Sequence, residues 1–182
     1  MEFSQDDFLP DFCTKRVLIL GCGNRLFGDD GFGPAVIDHL IAHYALPDDV
    51  YVMDVGTGIR KLLFTLCLSS ELPHTIFIID AVDKGKSPGE VFEILLDDIP
   101  LEKADDFSLH QAPSSNLAKE LQQKGVNVRV IACQVQSTPA SMKTGLSEQV
   151  SEAIPRLCDL LAGELSSTNP PIISLARSQI HQ

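Results

Sequence analysis

Asp29 and Asp30 stand side by side in a glycine-rich turn that follows the first apolar run of the chain, Val17 to Leu20. The segment reads Gly21-Cys22-Gly23-Asn24-Arg25-Leu26-Phe27-Gly28-Asp29-Asp30-Gly31-Phe32-Gly33. A strand that enters such a turn and continues into a helix ordinarily holds a phosphate on backbone N–H groups at the helix N-terminus. Two carboxylates in the turn repel a phosphate and attract a cation. The residue types therefore point to a metal-facing loop rather than a nucleotide cradle.

Two further carboxylates end apolar runs: Asp54 after Val50 to Met53, and Asp80 after Thr75 to Ile79. In open parallel sheets, ligands gather outside the carboxyl ends of the strands. Any one of Asp30, Asp54 and Asp80 could cap a neighbouring helix. Three together at one sheet edge repel one another unless a cation or proton joins them. His110 lies in Phe107-Ser108-Leu109-His110-Gln111-Ala112-Pro113, a loop before a helix. With Asp30 and Asp80 it would complete a two-carboxylate, one-imidazole set with open coordination positions, compatible with nickel, zinc or iron. His39 and His43 are one helical turn apart without an H-E-x-x-H pattern, His74 stands at a strand entrance, and His181 lies near the C-terminus.

Other chemistries find little footing. Gly85-Lys86-Ser87-Pro88-Gly89 has G-x-S-x-G spacing and contains G-K-S. Pro88, however, lacks the N–H that a nucleophile elbow takes from the residue after its serine, and Asp80 replaces the first glycine of G-x-x-x-x-G-K-[ST], so neither an elbow nor a phosphate loop is indicated. The five cysteines, Cys13, Cys22, Cys67, Cys133 and Cys158, are odd in number and far apart, without C-x-x-C. They read as free buried thiols of a reducing cytosol rather than a zinc ribbon or a disulfide framework. Cys22 lies in the key turn with no identifiable base, so a small apolar filler is expected there.

The elements that must position these residues alternate. Strands are expected at Val17 to Leu20, Val50 to Met53, Thr75 to Ile79 and Val126 to Ala132, with a more alternating edge strand at Glu90 to Leu96. Helices are expected from Gly33, with Pro34 in the first turn, at Arg60 to Leu68, at Ser115 to Gln123 with Ser114 or Ser115 as cap, and at Leu146 to Leu161. Pro155 should either start the main part of that last helix or kink it. Val36, Ile37, Leu40, Ile41 and Tyr44 form a core-facing helical stripe. The unbroken run at Thr75 to Ile79 implies burial on both faces. The pattern predicts an α/β protein, a three-layer α/β/α sandwich around a mostly parallel twisted sheet. Residues 1–15 read as an acidic leader, 16–164 as a single domain, and 165–182 as a tail.

At 182 residues with 44% hydrophobic side chains, one domain with a substantial core is expected. The net charge of -11 argues against a nucleic-acid surface and an anionic membrane. No basic region followed by an apolar core opens the chain, and no apolar run reaches the roughly 20 residues that span a bilayer. A cytoplasmic location is expected.

The pattern Gly-x-Gly-Asn-x-Leu-x-x-Asp-Asp-Gly-x-Gly at Gly21 to Gly33 resembles the signature of the nickel-iron hydrogenase maturation proteases. The likeness continues through Asp54-Val55-Gly56-Thr57, Ile79-Asp80-Ala81-Val82, Leu109-His110-Gln111 and Gly145-Leu146-Ser147, in order, and covers roughly Arg16 to Ala162. It implies an α/β/α endopeptidase that removes the C-terminal extension of a hydrogenase large-subunit precursor after nickel insertion. It further implies that Asp30, Asp80 and His110 sense the nickel held by the substrate, with zinc or cadmium as possible surrogates, and serve catalysis. Many members have glutamate where this chain has Asp30, a shorter arm of the same charge. Asn24, Asp54 and Thr57 are candidates for orienting substrate. The implied partner is the precursor, with neither nucleic acid nor membrane, and the implied state is a monomer.

Two rival readings stand beside this one. A nucleotide or S-adenosylmethionine binder would use Gly21-Cys22-Gly23 and hold a ribose on Asp54, but Leu26 replaces the third glycine of G-x-G-x-x-G. A non-proteolytic assembly factor would bind nickel-loaded precursor without cutting it, and is disfavoured by the presence of Asp30, Asp80 and His110.

Overall fold

The computed structural model describes residues 10–98, 112–137 and 141–166. The elements run β1 (Val17–Cys22), α1 (Phe32–His43), β2 (Val50–Gly56), α2 (Ile59–Leu68), β3 (Thr75–Val82), β4 (Val91–Ile94), α3 (Ala112–Gln123), β5 (Asn127–Gln134) and α4 (Glu148–Ser166). The strands form one sheet in the order β2-β1-β3-β5-β4. All pairings are parallel except that of the edge strand β4 with β5.

Period-two alternation divides the core into two layers. On one face Leu18, Leu20, Ile76, Ile78, Val128 and Val130 pack with Leu63 and Leu66 of α2 and Leu121 of α3. On the other, Ile19, Phe77, Ile79 and Ile131 pack with Val36, Ile37 and Leu40 of α1 and Leu157 and Leu161 of α4. β3 is buried along its whole length, as its apolar run requires of a central strand covered on both faces. β4 alternates, with Phe92 and Ile94 turned inward, as befits an edge. This is the expected three-layer α/β/α sandwich with a mostly parallel sheet.

Several element ends differ from expectation. β3 runs past Asp80 to Val82, because Asp80 still pairs with Ala132 of β5. β2 continues past Asp54, which pairs with Gly21 before a register shift places Gly56 opposite Cys22. α3 begins at Ala112, so neither Ser114 nor Ser115 caps it; Pro113 suits a first turn, where its missing N–H costs nothing. α4 neither starts nor breaks at Pro155. Both Pro155 and Ser151, four residues earlier, lie on the exposed face, where water can satisfy the carbonyl that proline leaves unpaired.

The packed body is also slightly larger than 16–164. Asp11–Thr14 forms a 3-10 turn whose Cys13 is buried and whose Phe12 packs beside it. At the other end Leu165 packs against the α1/α4 layer. No helix among the described residues is long and apolar enough to cross a membrane.

Candidate active site

The chain leaves β1 for α1 and β2 on one side, then crosses back through α2 to β3 on the other. The two connections diverge between β1 and β3, the switch point at whose carboxyl edge ligands gather in open parallel sheets. β1 pairs with β3 only as far as Gly21 and Ile79, so Asp80 is the first β3 residue past that ladder. Asp30 arrives from the β1–α1 turn. Both are buried, at 8% and 2% exposure.

Glycine makes this approach possible. A Cβ on Gly23, whose φ is +120°, would lie 1.8 Å from the carbonyl oxygen of Asp30. A Cβ on Gly33 would lie 2.2 Å from the Cys22 carbonyl and 2.6 Å from that of Ile79, so only glycine lets the first turn of α1 rest on β1 and β3.

Gly28–Gly31 is a 3-10 turn that gives its two aspartates different partners. Asp29 accepts from the Gln136 N–H at 2.9 Å, the Ser147 N–H at 2.6 Å and the Ser147 hydroxyl at 3.0 Å. Its carboxylate is thus committed to joining the first turn to the β5–α4 connection. Asp30 accepts one hydrogen bond, from the Asn24 N–H to Oδ2 at 2.7 Å. Asp80 Oδ1 accepts from the Ala81 N–H at 2.8 Å.

The Cys22 thiol lies within reach of the charges of three of the candidate aspartates. Its pKa is pushed well above the ordinary thiol range, first by burial, then by the charges of Asp80, Asp54 and Asp30. Cys22 is therefore a protonated filler and no nucleophile. The other four cysteines are also buried and free.

The remaining candidates fall in different places. Asp54 is half engaged elsewhere: Oδ1 accepts from the Gly56 N–H at 2.9 Å and Oδ2 from Arg25 Nη2 at 2.9 Å. Asn24 serves the turn itself, its side-chain oxygen accepting from the Leu26 N–H at 3.0 Å. Thr57 is exposed just beyond β2. His110 lies outside the described residues, two positions before the start of α3. Among the described residues no group of three or more His, Cys, Asp or Glu side chains is arranged to hold a metal ion.

Two residues absent from the sequence-based candidates organise the site. Arg25 binds Asp38 of α1, Asp54 of β2 and the Pro34 carbonyl, tying the turn to both flanking elements. Its guanidinium is held further into the charged state, foremost by the hydrogen bond to Asp38. Gln134 accepts from the Lys84 and Lys86 N–H groups and donates to Asp83, so the loop after β3 is anchored. An arginine between two aspartates 13 and 29 residues away leaves no local sequence signal.

The turn is also a poor phosphate cradle. The Gly23 N–H is spent on the Gly56 carbonyl at 3.0 Å, and the Asn24 N–H on Asp30. The fold is that of a three-layer α/β protein, with the buried carboxylates of Asp30 and Asp80 at the β1/β3 switch point. A family model described as HycI, hydrogenase maturation protease, matches residues 34–164. A Methanocaldococcus jannaschii protein named as a hydrogenase maturation protease is 40% identical over 152 residues, 83% of this chain and 97% of that one. Coenzyme F420 hydrogenase subunit delta of Methanothermobacter thermautotrophicus is 34% identical over 158 residues, 82% and 94% of the two chains. The crystal structure of the [NiFe] hydrogenase maturation protease HycI from Thermococcus kodakarensis superposes with a TM-score of 0.62 at 27% identity, covering 84% of this chain and 94% of that one. The chain belongs to the hydrogenase maturation protease family, and it is a peptidase. The comparisons give no support to a nucleotide binder or a non-proteolytic factor.

Proposed function

We propose that this peptidase removes a C-terminal extension from the large-subunit precursor of a [NiFe] hydrogenase, and that it cuts only precursor that already holds nickel. The observation that carries this reading is the pair of buried carboxylates, Asp30 and Asp80, at the β1/β3 switch point. Both lie close enough to Cys22 for their charges to act on its thiol. Two anions so placed favour a cation brought to them.

Nickel enters here as part of the substrate. Asp30 and Asp80, with His110 from the segment before α3, would contact it and so seat the scissile bond against the switch point. Mixed carboxylate and imidazole donors suit nickel, with zinc or cadmium as surrogates. A carboxylate of the pair then takes a proton from the water as its oxygen adds to the scissile carbonyl, and returns it to the amine nitrogen as the C–N bond breaks, the ordinary role of a general base within hydrogen-bond reach. Asn24 shapes the turn beneath Asp30, while Thr57 and Asp54, both exposed at the end of β2, would meet the substrate backbone. The reading includes a cytoplasmic monomer, with the packed domain as its working unit.

The test is incubation with the large-subunit precursor from the same cell, nickel-loaded and nickel-free, with mass spectrometry of its C-terminus. Loss of a C-terminal peptide from the loaded form alone is expected. Cleavage of both forms would overturn the nickel requirement, and cleavage of neither would overturn the substrate assignment.

A further inference from the structure

His39 and His43 lie on consecutive turns of α1, and their rings stack with centroids 4.2 Å apart and planes 25° apart. His39 is half-buried and His43 exposed. The Nδ1 of His43 lies 3.0 Å from the His39 carbonyl oxygen. A carbonyl can only accept, so the contact is made by an Nδ1–H, and in the neutral ring this leaves Nε2 as the lone-pair nitrogen. Metal-ligating histidines commonly have their orientation and tautomer fixed by such a bond from the other nitrogen.

We propose that His39 and His43 chelate a late first-row divalent cation at the C-terminal end of α1. The site is separate from the switch point: His43 ends a helix whose first residue is Phe32, so it lies roughly 16 Å along the axis from the Asp30 turn. Three observations support it. Residues four apart on a helix project on the same side, so both imidazoles reach one ion once the stacked rings turn to bring their lone pairs together. The partial negative charge of the helix C-terminus favours a cation. Among the described residues neither ring has an ion-pair partner, and the nearby carboxylates of Asp38 and Asp159 are engaged by Arg25 and Tyr44. Paired imidazoles select nickel, copper or zinc over magnesium or calcium, with water completing the coordination.

The test uses the full chain and zinc chloride, a diamagnetic probe, with magnesium chloride as control. Histidine ring resonances are followed by NMR. The expected result is that His39 and His43 move together at one zinc midpoint and ignore magnesium. In His39→Gln the midpoint at His43 should rise at least about tenfold, because one arm of the chelate is gone. Glutamine is a good helix former, so α1 persists, and precursor processing should be unchanged. A His43 midpoint unaffected by His39→Gln, or rings that ignore zinc at concentrations that titrate free imidazole, would mean a stacked pair only and would overturn the site.

Discussion

Ser147 gives both its backbone N–H and its hydroxyl to the Asp29 carboxylate, at 2.6 and 3.0 Å across 118 residues of sequence. Asp29 thereby fastens the start of α4 to the turn that carries Asp30. Neighbouring aspartates of one turn thus have different partners, Asp29 the start of α4 and Asp30 the turn's own Asn24. Asp29→Ala removes a buried charged acceptor and strands donors at Gln136 and Ser147, so a loss of about 3 kcal/mol or more is expected. Asp29→Asn, which keeps one acceptor oxygen, should cost less. Asp30→Ala should cost less than Asp29→Ala, since it removes one hydrogen bond and relieves repulsion. Urea unfolding followed by circular dichroism ranks the three. A larger loss for Asp30→Ala would reverse the roles assigned.

Arg25 is about half exposed, and its ion pairs with Asp38 and Asp54 are open to water. Its worth to stability is accordingly small, under about 1 kcal/mol. Its worth to activity is larger, because it fixes the turn against α1 and β2. Arg25→Ala is expected to lower kcat/KM for precursor cleavage roughly ten- to hundredfold, the cost of a slightly misplaced site. Arg25→Lys should recover only part of this, since lysine lacks the planar fork. Cleavage time courses beside urea unfolding would separate the two effects, and equal activity in all three proteins would remove Arg25 from any positioning role.

Burial holds the Cys133 and Cys158 thiols protonated, their pKa values pushed up to about 12 from 9.0, with smaller contributions from Asp29 and Asp159 respectively. The sign follows from linkage. Below pH 9 both folded and unfolded chains keep these protons, and stability is unaffected. Between about 9 and 12 the unfolded thiols ionise while the folded ones do not, so stability falls by about 1.4 kcal/mol per pH unit for each thiol. Urea unfolding at pH 8, 9.5 and 10.5 should show the fall, and it should be shallower in Cys133→Ala/Cys158→Ala than in the parent. Parallel slopes would show that these thiols ionise alike in both states.

Much of this arrangement is legible in the sequence where burial is uniform. The run at Thr75 to Ile79 announces a central strand, and the spacing of Val36, Ile37 and Leu40 announces a helix face, because each signal is local. Strand ends are less legible. Asp80 and Asp54 look like stops, yet both remain in their ladders, since backbone pairing with Ala132 and Gly21 does not depend on side-chain polarity. The helix start at Ala112 is missed for a related reason: serines make good caps but are also tolerated inside a helix, as Ser115 is. The carboxylates of the switch point can be listed from the sequence, whereas the scaffold role of Asp29 cannot. Its partners, Gln136 and Ser147, are brought to it only by the closing of the α1/α4 layer.

The central claim is that Asp80 acts on the substrate rather than on the fold. Its most direct test is Asp80→Ala against the nickel-loaded precursor, with the C-terminus read by mass spectrometry and folding checked by circular dichroism. A folded variant that leaves the extension in place is predicted. A folded variant that trims the precursor at the parent rate would contradict the account.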